Sequence, residues 1–214
     1  MKLQMGNDSP IGRLVGRILE LVGLNLLWVV CSLPIVTAGA AACALHFALS
    51  PQRDEDEGGF RCFFRSFRQN FRQATLLWLP MLALGLLVLL CLRLVSFWEG
   101  AARTAGIVFF CCPALLLLMI AGYAFPLLAW FEIPTRLLVE DALLLALGHF
   151  PRTLAVVGLN LLPAAAWFLL PPAALSLVFL WVPVGFSLTA LWIERILEPV
   201  FSPFRDEAGE EKEQ

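Results

Sequence analysis

Catalysis needs a nucleophile beside a base, a paired acid and base, or a set of metal ligands. Three carboxylates, Glu132, Glu140 and Asp141, cluster beside apolar sequence in the middle of the chain. Neighbours on a helix point about 100° apart, so Glu140 and Asp141 diverge. They read as the wet face of a helix. The two histidines, His46 and His149, are remote from one another in sequence. Of the six cysteines, Cys31, Cys43, Cys91, Cys111 and Cys112 lie inside apolar runs and Cys62 does not. None forms a CxxC pair, so neither a metal site nor a disulfide framework is indicated. Buried cysteines of this kind act as small hydrophobes. The residues thus offer no catalytic group, metal site or cofactor site, and the chain reads as a non-enzyme.

Other polar residues lie within apolar sequence. Asn25, Thr37, Tyr123 and Asn160 stand out, with Ser32, His46, Thr75, Ser187 and Thr189 beside them. Such side chains can line a polar path or hydrogen-bond between helices, and the second use is the ordinary one in membranes. Buried charge looks nearly absent, which gives proton or ion coupling little support.

The elements holding these residues follow from composition. Of 214 residues, 60% are hydrophobic and 15% charged, and the mean hydropathy is +0.82. A soluble domain is nearer 45–50% apolar and about 25% charged. The apolar residues come in five blocks, at about 21–49, 75–95, 106–131, 153–170 and 173–193. About 20 apolar residues cross about 30 Å of hydrocarbon. We therefore expect an all-α, polytopic membrane protein of about five transmembrane helices. Residues 1–20 form an N-terminal flank, 21–199 one membrane domain, and 200–214 an acidic, flexible tail. Period-2 alternation is missing, which argues against a barrel. Small residues at Ala38, Gly39, Ala41, Ala42 and Cys43 favour close helix packing over a signal-peptide cleavage site. Prolines recur in every block, as membrane bundles tolerate. Trp78, Trp98, Trp130 and Trp192 fall near span ends, where indole prefers the headgroup level. Trp167 and Trp181 flank a turn at Pro171–Pro172.

The stretch FRCFFRSFRQNFRQ, 60–73, interleaves Phe and Arg. On a helix, Phe60, Phe63, Phe64, Phe67 and Phe71 share one face. Arg61, Arg65, Arg68 and Arg72 form the adjoining stripe. This pattern suits an amphipathic helix in the membrane plane, its Phe face in the acyl boundary and its Arg stripe on lipid phosphates. It also suits a docking helix for a soluble partner. A nucleic-acid patch is disfavoured by the tether to a span. NFRQATLLWLP (70–80) is echoed by HFPRTLAVVGLNLLP (149–163), a hint of two units, each an interfacial helix followed by a hairpin.

With five crossings, ten Lys and Arg face five across the membrane, and the richer side is cytoplasmic by the positive-inside rule. The N-terminus is then outside. If the first block instead turns back at SLPIVT (32–37), both its flanks are cytoplasmic and the bias becomes thirteen against two. A single full crossing is the reading favoured here. Each arm of a hairpin would be only about a dozen residues, roughly 18 Å, and its turn carbonyls would need cover.

The ordered motifs LNLLW, SLPIVT, FFRSFRQNF and FPLLA resemble the YesL family, a domain of unknown function numbered 624, over about residues 5–200. The resemblance implies a bacterial integral membrane protein of several helices, in gene neighbourhoods rich in carbohydrate uptake and glycan breakdown. It brings no activity and no catalytic residues. Three functions are open to such a chain. An accessory or scaffold protein of a carbohydrate uptake system leads. A small autonomous transporter or channel is the alternative, and a membrane enzyme is least supported. Expected partners are membrane lipids, with a sugar-transporter complex or self-association and no nucleic acid. The expected location is the inner, cytoplasmic membrane.

Overall fold

A computed structural model describes residues 10–51, 53, 57–131, 133–169 and 176–213. Glu132 and the Pro171–Pro172 turn lie outside them, as do the side chain of Trp167 and those beyond Arg205. Every regular element among the described residues is helical: α1 (Pro10–Ser32), α2 (Ala38–Leu49), α3 (Gly59–Val95), α4 (Gly100–Trp130), α5 (Thr135–Gly148), α6 (Phe150–Leu169) and α7 (Ser176–Glu213). Among the described residues, three helices are long and apolar enough to cross a membrane: Gly12–Ser32, Gly59–Val95 and Gly100–Trp130. A fourth follows if Thr135–Gly148 and Phe150–Ala166, bent by 108°, make one span. The protein is thus all-α and multi-pass. α7 stays helical to Glu213, through the segment expected as a flexible tail.

The first apolar block is not one crossing. α1 ends at Ser32, because the residue before Pro34 is pushed out of the helical region. Pro34 is extended (φ −75°, ψ 109°), and a 3₁₀ turn over Ile35–Thr37 reverses the chain. α2 then returns along α1. Near the open end, Glu20 Oε1 accepts from Arg53 Nη1 (2.7 Å) and from the Gly59 amide (3.0 Å), while Arg53 also donates to Ala48 O (3.1 Å). The start of α3 and the end of α2 therefore lie level with Glu20. The twelve residues of α2 rise roughly 18 Å, short of a full crossing. The expectation of a single span over 21–49 is corrected to a hairpin, and both its flanks emerge at one end of the molecule. The turn carbonyls have their cover: Thr37 Oγ1 donates to Cys31 O and to Pro34 O (2.7 Å), and Trp78 Nε1 donates to Ile35 O (2.7 Å).

Small residues let α2 press into α3. Ala40, Ala41, Cys43, Ala44 and Ala48 are fully buried. A Cβ on Gly39 would stand 2.5 Å from Trp78 Cβ and 2.8 Å from Ala74 O. Here glycine is required by close approach, not by backbone conformation.

The Phe/Arg stretch is helical as expected, but it is not a separate helix. It continues unbroken into the apolar part of α3, since no Gly or Pro interrupts the chain between Phe60 and Leu79. Its Phe face is divided. Phe63 is fully buried, packing with Leu24, Ala44 and Leu45, and Phe67 packs against the same cluster. Phe60, Phe64 and Phe71 are exposed. The later echo differs, because α5 and α6 are sharply bent at their junction.

Candidate functional site

α7 crosses against α1. Trp28 and Phe186 lie ring to ring at 4.3 Å, and Asn25 Oδ1 accepts from the Ser187 amide (2.8 Å) and Ser187 Oγ (3.2 Å). Farther along α7, Ser187, Ala190, Ile193, Glu194, Leu197, Val200 and Phe201 are all buried. That is a 3-4 spaced face, and it carries one ionisable group inward.

Glu194 is 1% exposed. Its Oε1 lies 2.8 Å from His46 Nδ1 on α2, and its Oε2 accepts from Trp130 Nε1 on α4 at 2.7 Å. One carboxylate thus joins three helices. A buried carboxylate persists where hydrogen bonds replace its water, and each oxygen has a donor-bearing partner here. Glu194 is the single buried Asp, Glu, Lys or Arg among the described residues. Trp130, expected near a span end, is the last residue of α4; it is 6% exposed and meets Phe201 edge-on.

Glu194 also lines a cavity of about 260 Å³ at the end where the hairpin's flanks emerge, together with residues from α1, the end of α2, the α2–α3 connection and α7. Arg17, Glu20, Arg53, Arg195 and Glu198 reach it. Only Glu20 and Arg53 are paired with each other among them. Ser50 also lines it, 5% exposed, its Oγ buried and without a hydrogen-bond partner.

The residues singled out in the sequence do not assemble into one path. Asn25 ties α1 to α7. Thr37 closes the hairpin turn. Asn160 Nδ2 bonds Val156 O of its own helix (2.9 Å). Tyr123 OH meets Thr153 Oγ1 at 2.9 Å, and Thr153 in turn donates to Ala146 O (2.6 Å), linking α4, α6 and α5. Arg61, Arg65, Arg68 and Arg72 are exposed along α3. Arg65 pairs with Glu57 and lies over the Phe47 ring. Glu140 and Asp141 lie on α5, away from His46 and Glu194, and no group of three or more His, Cys, Asp or Glu able to hold a metal exists among the described residues. Sequence reading missed Glu194 because it follows the last apolar run and looks like cytoplasmic flank. Its helical register with Ser187, Ala190 and Leu197 was the available signal.

Residues 21–91, the second half of α1, α2 and most of α3, match the model of a family described as a protein of unknown function, DUF624. This is the family the motifs resemble. No curated protein and no solved structure matches the chain.

Proposed function

We propose that this protein is an accessory or scaffold of the bacterial cytoplasmic membrane that seats a carbohydrate uptake complex at its arginine-bearing end. The observation that carries the docking role is the mounting of the Phe/Arg stretch. Phe63 and Phe67 are spent on internal packing against the hairpin, which turns Arg61, Arg68 and Arg72 outward, exposed and without an ion pair among the described residues. Exposed Phe64 and Phe71 lie between them. Such a strip suits an acidic protein surface or anionic headgroups. The hairpin supports a cytoplasmic strip, because it puts Arg13, Arg17 and Arg53 at the same end, leaving Arg93 and Arg103 between α3 and α4 at the other. The carbohydrate system enters through the family resemblance alone. The reading assigns no catalytic step, cofactor or nucleic acid.

The test is crosslinking in intact cells, purification in mild detergent and identification of what co-purifies. Transporter subunits should be enriched, and should be lost when Arg61, Arg68 and Arg72 become Glu. Recovery of the chain with itself alone counts against docking. A second reading, a small autonomous transporter, is favoured by the buried Glu194 beside a charged cavity. Solute flux in reconstituted vesicles would support it.

A further inference from the structure

The cavity beside Glu194 has a composition that selects its ligand. Three guanidinium groups, of Arg17, Arg53 and Arg195, and three carboxylates, of Glu20, Glu194 and Glu198, line it. Arg53 and Glu20 already neutralise each other at 2.7 Å, and Glu194 is held by His46 and Trp130. What remains unpaired is two cations, Arg17 and Arg195, and one carboxylate, Glu198, which are all exposed. Ser50 lines the same cavity, its hydroxyl buried and without a hydrogen-bond partner. A buried hydroxyl without a partner costs about 1–3 kcal/mol, so an orphan lining a cavity points to a polar guest.

We infer that this cavity is a binding site for an aminophosphate zwitterion, an anionic phosphate joined by a short linker to a primary ammonium. Two guanidiniums suit a phosphate, which Arg recognises through its planar fork of donors. Glu198 suits an ammonium, which has three donors and no acceptor. The unpaired set, two guanidiniums and one carboxylate, suits a phosphate joined to an ammonium better than a simple cation. The volume of about 260 Å³ admits a headgroup-sized molecule rather than a large metabolite. The ligand has two sources, a phospholipid headgroup or a free aminophosphate. The lipid has a place for its chains: Leu14 and Ile18 on α1 and Leu188 and Trp192 on α7 are exposed apolar residues within about a turn of Arg17 or two turns of Arg195. Arg195 lies 5.7 Å over the Trp192 ring, and exposed Trp favours the headgroup level.

The test uses the full chain in a maltoside detergent. The probes are O-phosphorylethanolamine and dihexanoyl phosphatidylethanolamine, with inorganic phosphate and ethanolamine as single-charge controls. At least one aminophosphate should bind saturably and at least tenfold more tightly than either control. Arg17→Gln and Glu198→Gln, both at exposed positions, should each weaken that binding at least tenfold with unchanged thermal unfolding. Arg17→Lys should retain part of it. Binding of the lipid alone assigns the lipid source; equal binding of the soluble probe assigns a free aminophosphate. Absence of saturable binding for both, phosphate binding as tightly as the zwitterion, or unaltered binding by both Gln variants overturns the inference.

Discussion

Replacing Glu194 should unlatch three helices at once. The carboxylate is 1% exposed and faces His46 Nδ1 at 2.8 Å and Trp130 Nε1 at 2.7 Å. In Glu194→Ala the indole N–H and the imidazole both lose their partner. Each buried group left unsatisfied costs about 1–3 kcal/mol, and both the indole and the imidazole are affected. We expect a loss of about 2–6 kcal/mol from the two together. At about 2–4 °C per kcal/mol for a chain of this size, the melting temperature should fall by roughly 10 °C. Glu194→Gln keeps one acceptor oxygen and turns an amide donor on the other partner, so it should lose about 1–3 kcal/mol. Trp130→Phe removes one donor but keeps an aromatic ring against Phe201. The Glu194→Gln, Trp130→Phe double mutant should therefore lose less than the sum of the singles, with a coupling of about 1 kcal/mol or more. The assay is reversible unfolding in a nonionic detergent, followed by tryptophan fluorescence and, for the Trp130 variants, by far-UV circular dichroism. A Glu194→Ala protein melting within a degree of the parent, or additive singles, would refute the latch.

Three further outcomes follow from particular contacts. Gly39→Val should destabilise by about 1–3 kcal/mol through overpacking, since a Cβ there meets Trp78 Cβ at 2.5 Å; thermal unfolding reads it. Asn25→Val leaves the buried Ser187 hydroxyl and amide without Asn25 Oδ1 and should cost about 1–3 kcal/mol in the same assay. Tyr123→Phe should cost only about 1 kcal/mol, because Thr153 keeps its bonds to Ala146 O and His149 O; a drop like that of Glu194→Ala would show that the tyrosine holds more than α4 to α6.

Much of the fold was legible. Block length and hydropathy gave helices in a membrane, and the run Gly39–Cys43 gave close packing. The Phe spacing gave the helix at 60–73. What the sequence hid was tertiary. Pro34 marks an interruption, but whether the chain bends or reverses depends on Trp78, Arg53 and Gly59, which lie far along the chain. Phe63 and Phe60 are equally apolar, yet one is fully buried and the other exposed; a helical wheel cannot separate lipid from protein as the apolar neighbour. Glu194 was hidden for the same reason. A carboxylate after an apolar run is usually wet, and only partners on α2 and α4 make this one dry. Arg13 and Arg17 were countable on either side until the hairpin fixed their end.

The hairpin decides which groups share a membrane face, and so it underlies both the docking strip and the cavity. Its most direct test is single-cysteine labelling in intact cells with a membrane-impermeant maleimide, in a background lacking the six native cysteines. Cysteines at Arg13, Pro51 and Glu99, all exposed positions, report the start of α1, the α2–α3 connection and the α3–α4 turn. The hairpin predicts that 13 and 51 are protected until the membrane is opened, while 99 is labelled at once. Labelling of 13 with protection of 51 would mean that the first block crosses the membrane, and would contradict the account.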